Sequence, residues 1–314
     1  MPITLHTKNG QQILIEDAPF ASGGEGAIHK VISSNFQGCC VKMYFQQHRN
    51  KQKEQKIDYM IKNPPPNLQS NTYRICWPKE LVYQNNQFIG FVMTLAFNGS
   101  QELYKLVLPK LKQKDFKTDF NTWQAKYDRT QQSGIISRLK LCVNIAISVH
   151  TVHSYQKYVF VDMKPINFLM TLDGNISIID TDSMQISNGN QVLFPAQVAT
   201  PEYVPVEGNN LNPSEDFIPE TWDRFSMAII FYELLFGLHP YVASFKGPYK
   251  DTDAINLKIE SGLFVHGSKK TYILVLPSLH SNFNIIPQSF KDLFLEAFDD
   301  GHNNPNPVSY THLR

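Results

Sequence analysis

The sequence predicts a two-lobed α+β fold, with a small β-rich N-terminal lobe over residues 1–97 and a mainly helical lobe over residues 98–314. Three observations carry that expectation. Short alternating apolar runs punctuated by Gly and Asn crowd the first hundred residues, a strand and hairpin signature. After the strand pattern that ends at Phe97, Asn98 and Gly99 supply a turn and the character of the chain becomes helical. Further on, the run from 224 to 240 (RFSMAIIFYELLFGLHP) is apolar almost all round, as a helix in the middle of a core must be.

In chain order, the runs ITLHT, QQILIE, AIHKVI and CCVKMYF read as strands of the first lobe. Between them and the strand FIGFVMTLAF lies the charged stretch 46–62. Its Ile57, Met60 and Ile61 sit at helical spacing, and Pro64, Pro65 and Pro66 stop the helix. One helix is therefore predicted to cross the β lobe. In the second half, Leu139, Cys142, Val143, Ala146, Val149 and Val152 fall on one face of a helix over 138–155. Two short strands, NFLMT and ISIID, flank a hairpin turn at Asp173 and Gly174. The Lys-rich piece 105–117 reads as a solvated helix surface and loop.

With 42% hydrophobic and 18% charged residues, the chain can bury a sizeable core, so disorder is not expected to dominate. A formal charge of +1 provides no global field to recruit nucleic acid or an anionic membrane, so any charged ligand must be held locally. Cys39, Cys40, Cys76 and Cys142 form no CxxC pair or Cys/His cluster and read as reduced core thiols. The N-terminus lacks a signal pattern, and no apolar run approaches the ~20 residues of a membrane span. A cytoplasmic protein without nucleic-acid or membrane partners is expected.

Phosphoryl transfer needs phosphates cradled by backbone, a lysine on them, metal ligands, and a carboxylate to orient the acceptor hydroxyl. The segment Ala21-Ser22-Gly23-Gly24-Glu25-Gly26-Ala27-Ile28 lies between two strand patterns, where glycines let backbone approach phosphate oxygens. By itself such a hairpin is more often only a tight turn. Fourteen residues after Ile28 comes Lys42, mid-strand in an otherwise apolar run, where it needs a buried anion unless the strand is an edge facing solvent. Glu54, on the crossing helix, can turn inward to pair with Lys42 or remain an ordinary surface glutamate. Asp162, Lys164, Asn167 and Asp180 then frame apolar strands, where unpaired carboxylates are costly and a metal with substrate is the natural compensation.

The order of glycine-rich hairpin, strand lysine, helix glutamate, Asp-x-Lys-x-x-Asn and a further Asp thirteen residues on resembles the protein kinase fold across essentially the whole chain. Thr200-Pro201-Glu202-Tyr203-Val204-Pro205-Val206-Glu207 is similar to the end of a kinase activation segment, and Asp223 to the aspartate of the central helix. Within that superfamily, Asp180-Thr181-Asp182 resembles a bacterial Ser/Thr-kinase-like group that carries Asp-Thr-Asp in place of Asp-Phe-Gly. Kinases of that kind are encoded in stress or tellurite-resistance clusters beside a phosphatase and a von Willebrand A-type protein.

The resemblance implies ATP- and Mg2+-dependent (or Mn2+-dependent) transfer to Ser/Thr hydroxyls of a protein substrate. By position, Asp162 orients the acceptor, Lys164 steadies the γ-phosphate, and Asn167 with Asp180 holds the metal. Lys42 and Glu54 form the phosphate-anchoring pair, while Gly23, Gly24, Gly26 and Ile28 cover the nucleotide. Met93 is the gatekeeper, and Thr94, Leu95 and Ala96 form the hinge that reads adenine. A cognate phosphatase and a von Willebrand A-type protein are the implied partners.

Four departures stand out. Phe160-Val161 replaces the His-Arg before the catalytic Asp, removing the arginine that reads an activation-loop phosphate. Asp182 puts a second carboxylate near the phosphates, and Ala21 replaces the first loop glycine. The tail 303–307 contains no arginine to pair with Glu207, and residues 307–314 resemble a translated sequencing adapter, so the natural chain is expected to continue into further helices. These departures leave a nucleotide-binding pseudokinase scaffold as the alternative; a small-molecule phosphotransferase is opposed by Lys164, the Pro-Glu-Tyr segment and the Asp223 helix.

Overall fold

A computed structural model describes residues 1–116, 119–302 and 304. The tail 307–314 lies outside the described residues. The chain forms a two-lobed α+β fold whose first lobe is a seven-stranded antiparallel sheet in the order β2-β1-β7-β8-β5-β4-β3. Its strands are β1 (Ile3–Thr7), β2 (Gln12–Ile15), β3 (Ala21–Ser22), β4 (Gly26–Lys30), β5 (Cys39–Tyr44), then β7 (Pro78–Gln84) and β8 (Gln87–Thr94) after the helix and a short β6 (Tyr73–Ile75). Alternation along β1 and β2 buries Leu5, Ile13 and Ile15 on one face, where they meet Val41, Val82 and Val92. β5 is central and buried on both faces, so Lys42 is a core lysine and not an edge one.

Helix α1 (Lys51–Lys62) crosses this sheet and packs on β7 and β8. It starts where Asn50 accepts a hydrogen bond from the Lys53 N–H at 2.8 Å, and it ends at Asn63, before the prolines. Its buried positions are Lys53, Lys56, Ile57 and Met60, spaced by three and four so that they share one face.

The chain then enters a four-stranded sheet. β6 pairs in parallel with β12 (Ile176–Ile178), which is antiparallel to β11 (Phe168–Met170), and β9 (Gln101–Glu102) closes the edge. The β11–β12 turn is the hairpin expected at Asp173 and Gly174, with Gly174 at φ +87°. After the short helices α2 (Tyr104–Val107) and α3 (Phe120–Lys126), α4 (Gln132–His153) and α5 (Glu220–Phe236) form the helical core.

Almost all of α5 is buried. α4 differs from its expected face: Leu141, Ile145, Val149 and Val152 are in the core, but Val143 is 46% exposed. By length and composition α4 is apolar enough to cross a membrane, contrary to the sequence expectation; half of its most apolar stretch is buried inside the fold against α5, β6 and β12. After α4 comes β10 (Tyr158–Val159), which pairs with β13 (Gln185–Asn188), itself in a hairpin with β14 (Gln191–Phe194). α6 (Ile255–Glu260), the ladder β15 (Ser244–Phe245) with β16 (Ile273–Val275), and α7 (Gln288–Phe298) complete the described chain. All four cysteines are buried and unpaired.

Candidate active site

The site lies where β5, α1, the segment after β10 and the segment after β12 converge. Lys42 reaches it because Gly90 on β8 lets the two strands approach closely: a Cβ on Gly90 would sit 1.9 Å from the Lys42 carbonyl oxygen. Gly26 plays the same part on the other side, with its missing Cβ 2.3 Å from the Met43 carbonyl, so its first duty is backbone packing. Gly23 and Gly24 stand in open space at the tip of the β3–β4 hairpin, and Ile28 lies opposite Lys42 beneath it.

The Lys42 ammonium donates to Asp180 Oδ1 at 2.8 Å and to both carboxylate oxygens of Asp182, also at 2.8 Å. Tyr44 donates its hydroxyl to Asp182 Oδ2 at 2.6 Å. Burial alone would push the Lys42 amine down; the Asp182 and Asp180 charges more than offset it and hold the amine above its usual range. Burial likewise works to raise Asp182, but Lys42 and the hydrogen bonds it receives hold that carboxyl below the ordinary value.

Glu54 does not make the expected contact. Its Oε1 accepts from the Tyr83 hydroxyl at 2.6 Å, on the side of α1 away from Lys42. The reason is helical phase: with Ile57 and Met60 inward, the positions facing the cleft are 53 and 56, and both are lysines. Lys53 donates to Glu25 Oε2 at 2.5 Å, tying the helix to the glycine-rich hairpin, and its ammonium lies 4.6 Å from the Tyr44 ring centroid. Lys56 is 7% exposed. Burial, reinforced by Lys53 and only partly offset by Asp182, lowers its amine to about 8.

Asp162, Lys164 and Thr200 form a closed triangle. Lys164 donates to Asp162 Oδ2 at 2.6 Å and to Thr200 Oγ1 at 2.9 Å, while Thr200 donates to Asp162 Oδ1 at 2.6 Å. Asn167 donates its amide to the Asp162 carbonyl at 2.9 Å, which turns its own oxygen the other way. The backbone here is held under strain: Val161 has φ +65° and Asp180 φ +60°. Asp223 stabilises the first by accepting from the N–H groups of Phe160 (2.7 Å) and Val161 (2.9 Å), and Trp222 donates to the Val161 carbonyl at 2.9 Å. In place of a charged side chain, Val161 buries itself with Ala196, Ile218 and Trp222, so the segment after β10 grips the one beyond β14 through apolar contact.

Next to the hinge, Met93 is the last residue but one of β8, opposite Cys40 and Pro78, and its side chain is buried. The Leu95 N–H donates to the Gly38 carbonyl at 3.0 Å, and its carbonyl accepts from Arg74 at 2.9 Å. Leu95 is thus already engaged by protein, with Thr94 and Ala96 on either side of it. Glu207 is partly buried, and Oε1 has no hydrogen-bond partner among the described residues; burial pushes its carboxyl up.

The profile of the protein kinase domain matches residues 20–261, most of the chain. The chain belongs to the protein kinase family. Among curated proteins this kinase domain is similar to protein kinase YegI from two strains of Escherichia coli. One is 26% identical over 77% of this chain, the other 24% identical over 88%. Human serine/threonine-protein kinase MRCK alpha is 28% identical over 52% of the chain and 9% of its own length. The kinase domain spans 34% and 40% of the two YegI proteins.

Of the residues picked out in the sequence, Lys42, Asp162, Lys164, Asn167 and Asp180 come together in one cleft and Glu54 does not. The sequence reading missed Asp182 as the partner of Lys42, and Thr200 as a neighbour of Asp162. The signal for the first was available: placing Ile57 and Met60 inward already turns Glu54 aside and leaves Lys42 in need of another carboxylate.

Proposed function

We propose that the chain is an ATP- and magnesium-dependent protein serine/threonine kinase. The reading is carried by the convergence of Lys42, Asp162, Lys164, Asn167 and Asp180 at the mouth between the lobes. Asn167 and Asp180 suit a hard cation, being oxygen donors. When bound, magnesium would neutralise charge on the phosphates.

The residues do the rest. Asp162, fixed by Lys164 and Thr200, accepts a hydrogen bond from the acceptor hydroxyl and aligns it; Lys164 offers its ammonium to charge developing on the transferred phosphoryl group. Lys42 is aimed by Asp182 toward the nucleotide. Thr94 and Ala96 supply the hinge groups for adenine, since both polar groups of Leu95 are occupied.

Transfer from radiolabelled ATP to a generic protein acceptor, with Mg2+, Mn2+ or EDTA, tests the reading. Metal-dependent label on serine and threonine supports it; binding of ATP without transfer would favour the pseudokinase scaffold, a reading encouraged by the lysines that α1 presents. A cytoplasmic location belongs to the same proposal and is testable by fractionation of the native host; partnership with a phosphatase and a von Willebrand A-type protein is supported by the Asp180-Thr181-Asp182 resemblance and testable by co-purification.

A further inference from the structure

Between α1, the metal-side strand end and the segment 194–198 lies a cavity of about 120 Å³, bordered by Lys53, Lys56, Asp162, Asp180 and Asp182. That is several times the roughly 10–15 Å³ that one water needs on this measure. Its carboxylates are already matched with cations. Asp182 and Asp180 hold Lys42, Asp162 holds Lys164, and Glu25 holds Lys53. Lys56 is the exception: more than nine-tenths buried, it borders the cavity and makes no hydrogen bond or ion pair among the described residues. A buried ammonium without a partner is costly unless a ligand brings an anion to it.

The position also restricts the anion. On the kinase reading Asp162 would align the acceptor and Asp180 would hold the metal, so a group seated between them and Lys56 would occupy the place of the phosphate that is transferred. We propose that Lys56 binds the terminal phosphate of a nucleoside triphosphate, so that α1 contributes a cation to the nucleotide where the sequence pattern led one to expect a glutamate bonded to Lys42. The inference rests on the nucleotide reading above. It makes α1 a sensor of triphosphate against diphosphate, because a diphosphate leaves Lys56 without its partner.

Calorimetric titration of MgATP, MgADP and adenosine into the wild-type chain, Lys56→Met and Lys56→Arg tests this without any turnover. Lys56→Met is expected to weaken MgATP at least tenfold and MgADP less than threefold, to leave adenosine unchanged, and to raise the melting temperature of the nucleotide-free protein. Lys56→Arg should keep most of the preference. Lys56→Gln, which keeps a polar but uncharged head, is expected to show the same split and serves where the Met variant does not fold.

Equal losses for MgATP and MgADP, or none for either, overturn the proposal. So does a result in which only phosphorylated protein responds to Lys56→Met and Ser183→Ala abolishes the response, since the seat then takes a phosphate carried by the chain. A wild-type protein with Lys56-dependent preference for MgATP but no transfer to acceptors upholds this inference and sinks the kinase activity. Transfer with an unchanged MgATP-to-MgADP ratio in Lys56→Met does the reverse.

Discussion

Lys42 and Asp182 lie 140 positions apart in the chain, each has more than nine-tenths of its side chain buried, and two hydrogen bonds of 2.8 Å join them. Removing either member strands the other. Lys42→Met is therefore expected to abolish phosphotransfer and also to destabilise the fold by about 3–5 kcal/mol, the usual cost of an uncompensated buried charge. Asp182→Leu should cost stability in the same direction. The double variant Lys42→Met/Asp182→Leu should recover most of the lost stability but none of the activity. Urea midpoints for the four proteins close the cycle, and strict additivity would show that the two residues do not act as a pair.

Glu54, by contrast, holds Tyr83 at the far side of α1. Glu54→Gln keeps a hydrogen bond to that hydroxyl, so the transfer rate is expected to stay within about threefold of wild type, a change below ~1 kcal/mol in the barrier. A loss of a hundredfold would restore Glu54 to the phosphate machinery.

Thr200 sits within hydrogen-bonding distance of both Asp162 and Lys164. Thr200→Ala should lower kcat on the order of 10–100-fold by freeing the carboxylate it holds, and Thr200→Ser should restore most of it. Steady-state kinetics with KM and kcat separated are the check: an effect confined to KM would place Thr200 in acceptor binding alone.

Phosphorylation of the segment after Asp180 is expected to matter little. Val161 is buried among apolar residues, Ser187 is buried in β13, and the Ser183 hydroxyl donates to the Asp180 carbonyl at 2.7 Å. Phosphatase-treated protein should keep its transfer rate within about threefold. The Ser183→Ala/Ser187→Ala variant is the control, and Thr200 must be left intact because its hydroxyl serves Asp162. Hundredfold inactivation by phosphatase, reversed by autophosphorylation, would reveal a basic reader elsewhere.

The buried Glu233 sets a pH dependence. Burial pushes its carboxyl up from 4.5 to about 8, though the Tyr203 hydroxyl donates to it at 3.0 Å. A raised folded-state value means that the native state holds the proton more tightly than the unfolded chain. The contribution to stability is full below pH 4.5 and declines as pH rises toward 8, by up to about 1.4 kcal/mol per pH unit. Denaturant midpoints measured between pH 5 and pH 9 should flatten in Glu233→Gln relative to wild type. An unchanged slope would remove Glu233 as the source.

The two-lobed α+β fold was legible because local patterns agree with it: the alternating runs became β1, β2, β4 and β5, and the apolar run became α5. Motif spacing brought out Asp162, Lys164, Asn167 and Asp180 for the same reason, since they lie on short elements whose order determines their neighbours. The partners of Lys42 were less legible because they depend on helix phase and on contacts over more than a hundred residues. The hairpin β13–β14 escaped notice because its strands are only four residues each, and their partner β10 is two.

The parallel pairing of β6 with β12 has a mechanical consequence. Tyr73, Arg74 and Ile75 are laced to Ile176, Ser177 and Ile178, the Cys76 N–H reaches the Ile178 carbonyl, and Thr181 returns a bond to the Cys76 carbonyl. The polypeptide leaving α1 is thus sewn to the strand that delivers Asp180, and the hinge at residues 94–97 is not the sole link between the lobes. Any swing of α1 pulls on that seam. A cut at the hinge would leave β6 torn from its template and β12 with a bare edge, so neither half is an autonomous folding unit, and the two should melt in a single cooperative step.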